Sequence, residues 1–236
     1  MATPKQKSVT SSSDSTCKWC GKSFKRASTL AHHMCVKKRR WTDKDLTHVR
    51  LAHRVFQKFY EITTSSVKPK TMEDFIESPY YTDFVKFGRA CTMNEYLDPE
   101  RFAEWLIREG VKLRDWPKDL VYNKYLLQYI KREPGLRALE RTVEYLARWS
   151  TEEGYEWNTY FVNATAPRMV YDVRAGKVSP WAIYLSETGS QLFTRMNDEQ
   201  VRMIGEIIDA NFWFRVFKDN PEDVDQVETL CKEARL

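Results

Sequence analysis

A mainly α-helical protein, with a separate cysteine–histidine stretch at its N-terminal end, is the architecture this sequence predicts. Three observations carry that reading. Helix-start signals recur along the chain: Thr71-x-x-Asp74, Asp98-Pro99, Ser179-Pro180 and Asn197-x-x-Gln200 each pair a capping side chain with a partner or with proline at the first helical position. Apolar residues between these signals return at helical rather than alternating spacing. Three of the five cysteines and two of the four histidines fall between residues 17 and 35, ahead of the first apolar stripe.

That stretch reads CKWCGKSFKRASTLAHHMCVKKRRW over residues 17–41. Cys17 and Cys20 form a Cys-x-x-Cys pair, Phe24 and Leu30 follow, and twelve residues separate Cys20 from His33. The pattern resembles the C2H2-type zinc finger, in a CCHC variant. The resemblance implies a small ββα-like unit, with two thiolates on a hairpin, an imidazole on the following helix, and Phe24 and Leu30 as its apolar pair. Two thiolates and an imidazole suit Zn2+, which takes soft and borderline donors in a tetrahedron. The fourth donor departs from the family, because Lys37–Arg39 occupy its usual place. Cys35 can supply it if the helix ends at His33 and the chain turns. His32 is the substitute, three residues from Cys35 and on the same helix face. The expected ligands are therefore Cys17, Cys20, His33 and Cys35. The competing reading, a redox-active Cys-x-x-Cys, lacks the strand–helix context such motifs occupy.

Charge is distributed unevenly. Residues 1–54 hold 13 Lys/Arg and 3 Asp/Glu, a balance of +10, whereas residues 55–236 hold 25 and 30, a balance of −5. A basic end on a near-neutral body suggests DNA, duplex or forked, as a partner. By the finger convention Arg26, Thr29 and His32 would face base edges, and Lys37, Lys38, Arg39 and Arg40 would contact phosphates.

Residues 1–16 are rich in Ser and Thr and should form a disordered tail. Residues 17–41 hold the finger and its basic run. Thr42-x-x-Asp45 reads as a capping box opening a connecting helix over 42–62, with Leu46, Val49, Ala52, Val55, Phe56 and Phe59 on one face and Lys44, His48, Arg50, Arg54 and Lys58 on the other. His48 and His53 read as surface or satisfied core histidines. Residues 63–70, TTSSVKPK, read as a linker. Residues 71–236 should form an all-helical domain. Its expected helices are a short turn stopped by Pro79, a helix over 80–90, one from Asp98-Pro99 to Gly110, one over 117–131, one from Pro134 to Gly154, one from Ser179-Pro180, a long one from Asn197 to Phe217, and one from Pro221.

No phosphate-cradling glycine loop, GxSxG element or acid–base pair in a recognisable motif is present, so the expectation is a non-enzymatic protein. No apolar run approaches the roughly 20 residues that span a bilayer, no secretory signal is visible, and thiolate ligands favour a reducing cytoplasm. The runs Arg168-Met169-Val170-Tyr171, Val178–Leu185 and Gln191-Leu192-Phe193 resemble the C-terminal domain of T4-type phage helicase-loading proteins. That resemblance implies a small helical protein that binds forked or single-stranded DNA and recruits a helicase. A zinc-dependent adaptor that grips a protein partner is the reading from another class.

Overall fold

The computed structural model describes residues 15–64 and 68–236. It is mainly helical, and its one sheet among the described residues has two strands. The chain forms two compact units. The first comprises the described residues up to Glu95 together with Pro99–Arg114, and the second comprises Tyr96–Asp98 and Asp115–Leu236.

The first unit opens with β1 (Ser15–Thr16) and β2 (Ser23–Phe24), antiparallel with Ser15 opposite Phe24. Helices α1 (Ala27–His32), α2 (Val36–Thr42), α3 (Thr47–Thr64), α4 (Met72–Glu77), α5 (Tyr81–Met93) and α6 (Pro99–Arg108) follow. Its core is the predicted apolar face of α3, where Val49, Ala52, Val55 and Phe56 are buried beside Phe75, Phe84, Phe87 and Phe102. The Phe56 ring lies 5.0 Å from Phe75 and 5.4 Å, edge-on, from Phe84, the arrangement that aromatic quadrupoles favour. A Cβ on Gly88 of α5 would collide with the backbone carbonyl of His48 on α3, so glycine sets how closely these helices approach. His53 is a satisfied partner, its Nε2 lying 3.3 Å from the Lys70 carbonyl.

Several boundaries differ from expectation. The predicted 42–62 connecting helix is the centre of this unit, so residues 63–70 are not the division between compact parts. Arg54 pairs with Glu100 at 2.6 Å and Lys58 with Glu104 at 3.3 Å, tying the polar edge of α3 to α6. Thr63 and Thr64 continue α3, while 65–67 lie outside the described residues. The capping box at Thr42 does not form. Helix α2 runs through Thr42, whose hydroxyl donates to the Lys38 carbonyl at 3.0 Å, and Asp43–Asp45 make a 3-10 turn. A hydroxyl that finds an acceptor four residues back no longer serves as a cap. Ser15 and Thr16 are strand residues, and the rest of the expected tail, 1–14, lies outside the described residues.

The second unit holds α7 (Asp119–Ile130), α8 (Gly135–Glu153), α9 (Tyr160–Asn163), α10 (Ala166–Arg174), α11 (Pro180–Leu185), α12 (Gln191–Arg195), α13 (Asp198–Ile204), α14 (Ala210–Asp219) and α15 (Pro221–Ala234). Its caps form as the sequence predicts. Ser179 accepts from the Trp181 N–H, Asn197 and Gln200 bond reciprocally, and Gly154 ends α8 in the left-handed region at φ +77°. Around the buried Trp181 ring lie Trp213 at 6.2 Å and Phe217 at 5.0 Å. Gly135 leaves room for that ring. Asp172 is fully buried, its Oδ2 accepting from the Tyr160 hydroxyl at 2.8 Å and from Arg168 Nε at 3.0 Å. The long helix expected over 197–217 is instead two. After α13 the chain turns, and the Asp209 carboxylate accepts from the Phe212 N–H to start α14. Phe214, placed on the apolar stripe by a continuous helix, is 71% exposed as a result. Among the described residues, no helix is long and apolar enough to cross a membrane.

Gly88→Ala should lower stability by about 1–3 kcal/mol, because the added methyl overpacks the α3–α5 crossing. A thermal or denaturant unfolding curve of the variant checks this.

Candidate metal centre

The centre is built by two turns. In the first, the Cys17 N–H donates to the Lys22 carbonyl at 2.9 Å and the Gly21 N–H to the Cys17 carbonyl at 2.8 Å. Gly21 has φ +70°, a conformation most side chains disfavour. This tight knuckle brings Cys17 and Cys20 together at the end of the hairpin. In the second, α1 stops after His32. His33 and Cys35 are extended, with ψ of 121° and 166°, so two residues that a continuous helix would separate around its axis converge instead. Cys35 then caps α2, its sulfur accepting from the Lys38 N–H at 3.4 Å.

Four donor atoms meet there. Those of Cys17, Cys20, His33 and Cys35 all lie within 4.8 Å of one another. Cys17 Sγ is 4.0 Å from Cys35 Sγ, and Cys20 Sγ is 3.3 Å from His33 Nε2. A tetrahedral zinc with bonds of about 2.3 Å to sulfur and about 2.0 Å to nitrogen separates its ligands by roughly 3.5–3.8 Å, so the cluster fits such an ion. His32, the substitute ligand, is exposed and outside the cluster, because α1 turns it away from His33. Phe24 packs against the His33 ring at 4.7 Å, the role the finger pattern gave it.

The electrostatics favour a cation. Burial opposes ionisation of Cys17, but the backbone groups of Trp19 and Cys20 and the thiols of Cys20 and Cys35 outweigh it and hold this thiol below its usual range. At Cys20, hydrogen bonding from the Lys22 backbone favours the thiolate, yet desolvation and the nearby Cys17 and Cys35 push its thiol up overall. Adjacent thiolates repel unless a metal neutralises them. A metal held by all four donors would have no open position, the coordination pattern of structural rather than catalytic zinc sites. The knuckle is also clamped to α2: the Trp19 ring lies 5.0 Å from Trp41, tilted by 37°, with Lys18 over one ring at 4.9 Å and Lys44 over the other at 5.4 Å.

The residues expected to touch nucleic acid divide into two groups. Arg26, Thr29, His32 and Arg39 are exposed. Thr29 and His32 share a shallow groove with Phe24, Ser28 and His33. The other three cations of the basic run have partners within the protein. Lys37 pairs with Glu77 at 2.7 Å, Lys38 donates to the His33 carbonyl at 3.1 Å, and Arg40 donates to the Ile76 carbonyl at 2.6 Å while lying 4.3 Å over the Tyr81 ring. The run is a helix docked on α4, not an extended strip of free charge. Sequence reasoning passed over Lys18, Lys22 and Lys25, all exposed. The signal for them was present: from Ser15 to Thr42 there are eight Lys/Arg and no Asp/Glu.

No known protein family, curated protein or solved structure matches this chain.

Cys35→Ser should cost the bound metal and loosen the start of α2 together, since one sulfur serves both. Metal analysis should fall from one equivalent per chain toward none, and tryptophan fluorescence should shift as Trp19 separates from Trp41. Retained stoichiometry with an unchanged spectrum would exclude Cys35 as a ligand.

Proposed function

We propose that the protein is a non-enzymatic DNA-binding accessory factor whose N-terminal module holds one Zn2+ and presents a cationic surface to the phosphate backbone. The observation that carries this reading is the acid-free stretch from Ser15 to Thr42, folded around a cluster of four donors, with Lys18, Lys22, Lys25, Arg26 and Arg39 exposed. Three thiolates and a neutral imidazole around Zn2+ carry a net charge of −1, far too little to cancel these cations. Phosphate contacts of this kind position a protein on DNA and give affinity without choosing a sequence. Arg26, Thr29 and His32 supply the groups that would reach base edges. One such module covers about three base pairs, so sequence selection needs a further contact or a partner. A reducing intracellular setting suits the three thiolate ligands.

A second reading, a protein-interaction adaptor, is favoured by Met34 and Val36. They flank Cys35 and are 49% and 66% exposed, an apolar edge on an otherwise cationic module. Salt dependence separates the two readings.

Replacing Lys25, Arg26 and Arg39 together with Ala should weaken duplex binding on all sequences. It should also reduce the slope of log K against log salt by about 2 to 3 units, at about 0.9 per duplex phosphate contact. Lys37→Ala with Arg40→Ala should instead lower thermal stability with little change in slope, because those cations are engaged within the protein. Binding that does not respond to salt would favour the adaptor.

A further inference from the structure

The second unit contains a cavity that the metal module does not explain. It has a volume of about 270 Å³ and is lined by side chains of α7, α10, α13 and the turn after α13. Its apolar lining with accessible surface comes from Leu127 and Ile207, both half-buried, and from Met203 at its mouth, 49% exposed, with the fully packed Leu126 and Ile204 behind them. Its polar groups are Arg174, Arg202, Asn123 and Glu206. Among the described residues Arg174 has no hydrogen-bond or ion-pair partner. Arg202 donates from Nε to its own helix, to the Asp198 carbonyl at 3.2 Å, which fixes the guanidinium and leaves its terminal nitrogens available. Two arginines against one carboxylate give the cavity a net charge of +1.

We propose that this cavity binds a nucleotide, with the base on the Leu127–Met203–Ile207 floor and the phosphate on Arg174 and Arg202. Guanidinium groups match phosphate oxygens in geometry and bind them with charge-assisted hydrogen bonds. A phosphate monoester carries about −1.5 to −2 at neutral pH, more than enough to satisfy the net positive charge beside Glu206. The apolar floor argues against inorganic phosphate, which would leave it uncovered. The Asn123 amide offers both a donor and an acceptor, as the edge of a base requires. At about 270 Å³ the cavity is just below the roughly 300 Å³ where pockets for larger organic ligands begin, so it takes one nucleotide and not a dinucleotide cofactor. The nucleotide can arrive free or as part of a strand. Tyr171, 57% exposed and one turn before Arg174 on α10, is placed to stack the next base in the second case.

The experiment is calorimetric titration of the full-length protein with 5′-dAMP, deoxyadenosine, inorganic phosphate and a short oligo(dA). Saturable 1:1 binding of dAMP is expected, with deoxyadenosine and phosphate each at least tenfold weaker. Arg174→Ala, Arg202→Ala and Met203→Glu should each weaken dAMP binding about tenfold or more. All three positions are exposed, and an unchanged circular dichroism spectrum verifies the fold. Oligo(dA) that binds more tightly than dAMP, and loses that gain in Tyr171→Ala, identifies a strand as the source; oligo(dA) that does not compete identifies free nucleotide. No saturable dAMP binding, binding indifferent to all three substitutions, or phosphate binding as tightly as dAMP would overturn the proposal. The Lys25, Arg26 and Arg39 replacement should leave dAMP binding unchanged, so this inference and the DNA-binding reading fail separately.

Discussion

Everything in the N-terminal module depends on the break between α1 and α2. A helix continued through His33 and Cys35 would send the two side chains around its axis and leave only half a metal site. Extended backbone at both residues brings an imidazole and a thiolate to the same point as the knuckle cysteines. The short elements around it, two-residue strands and a six-residue helix, have too little apolar surface to hold themselves together. A metal on the four donors would supply the folding free energy that such a module lacks. Cys35 passes that constraint onward, since the sulfur that completes the cluster also caps the helix carrying the basic run.

The fate of that run shows how packing revises a charge count. Four consecutive cations read as a phosphate-binding strip. Helical geometry distributes them around α2, and the side facing α4 meets Glu77 and the carbonyls of Ile76 and Ser78. Arg40 is spent on satisfying the end of α4 and on the Tyr81 ring. The exposed cations of the module are Arg39 from the run itself and Lys18, Lys22, Lys25 and Arg26 from the hairpin and the approach to α1. The module's positive surface is therefore real but displaced from where the densest charge in the sequence lies.

The second unit is organised differently. Its core holds buried aromatic rings and a fully buried carboxylate, Asp172, whose Oδ2 accepts from Tyr160 and Arg168 while its Oδ1 has no hydrogen-bond partner. Arg174 and the terminal nitrogens of Arg202 are exposed instead, and both residues line one cavity. Groups that contribute nothing to internal pairing are the ones available to a ligand.

Much of this protein was legible in its sequence, because the signals were local. Cap residues satisfy amides within one turn, so Thr71, Ser179 and Asn197 announced their helices, and Gly154 its helix end. The resemblance to a zinc finger pointed to Cys17, Cys20 and His33, and to Cys35 once a turn was allowed after His33, and these four donors do cluster. Other features were decided only by tertiary contacts. The Thr42 hydroxyl could either accept from an amide ahead of it, as a cap, or donate to a carbonyl one turn back, and it donates to the Lys38 carbonyl within α2. The stripe from Val201 to Phe217 is periodic enough for one helix, yet the burial of Trp213, whose indole N–H reaches the Ile207 carbonyl at 2.6 Å, favours a turn and two. The partition into units went unseen for the same reason. Helix α3 carries an apolar face that any core could bury, and only the fit of Gly88 against the His48 carbonyl, with Arg54 and Lys58 meeting the acids of α6, determined which core it joined. Local chemistry sets where elements begin and end. Which faces meet depends on shape and charge from distant segments, and no single window of sequence contains both sides of that contact.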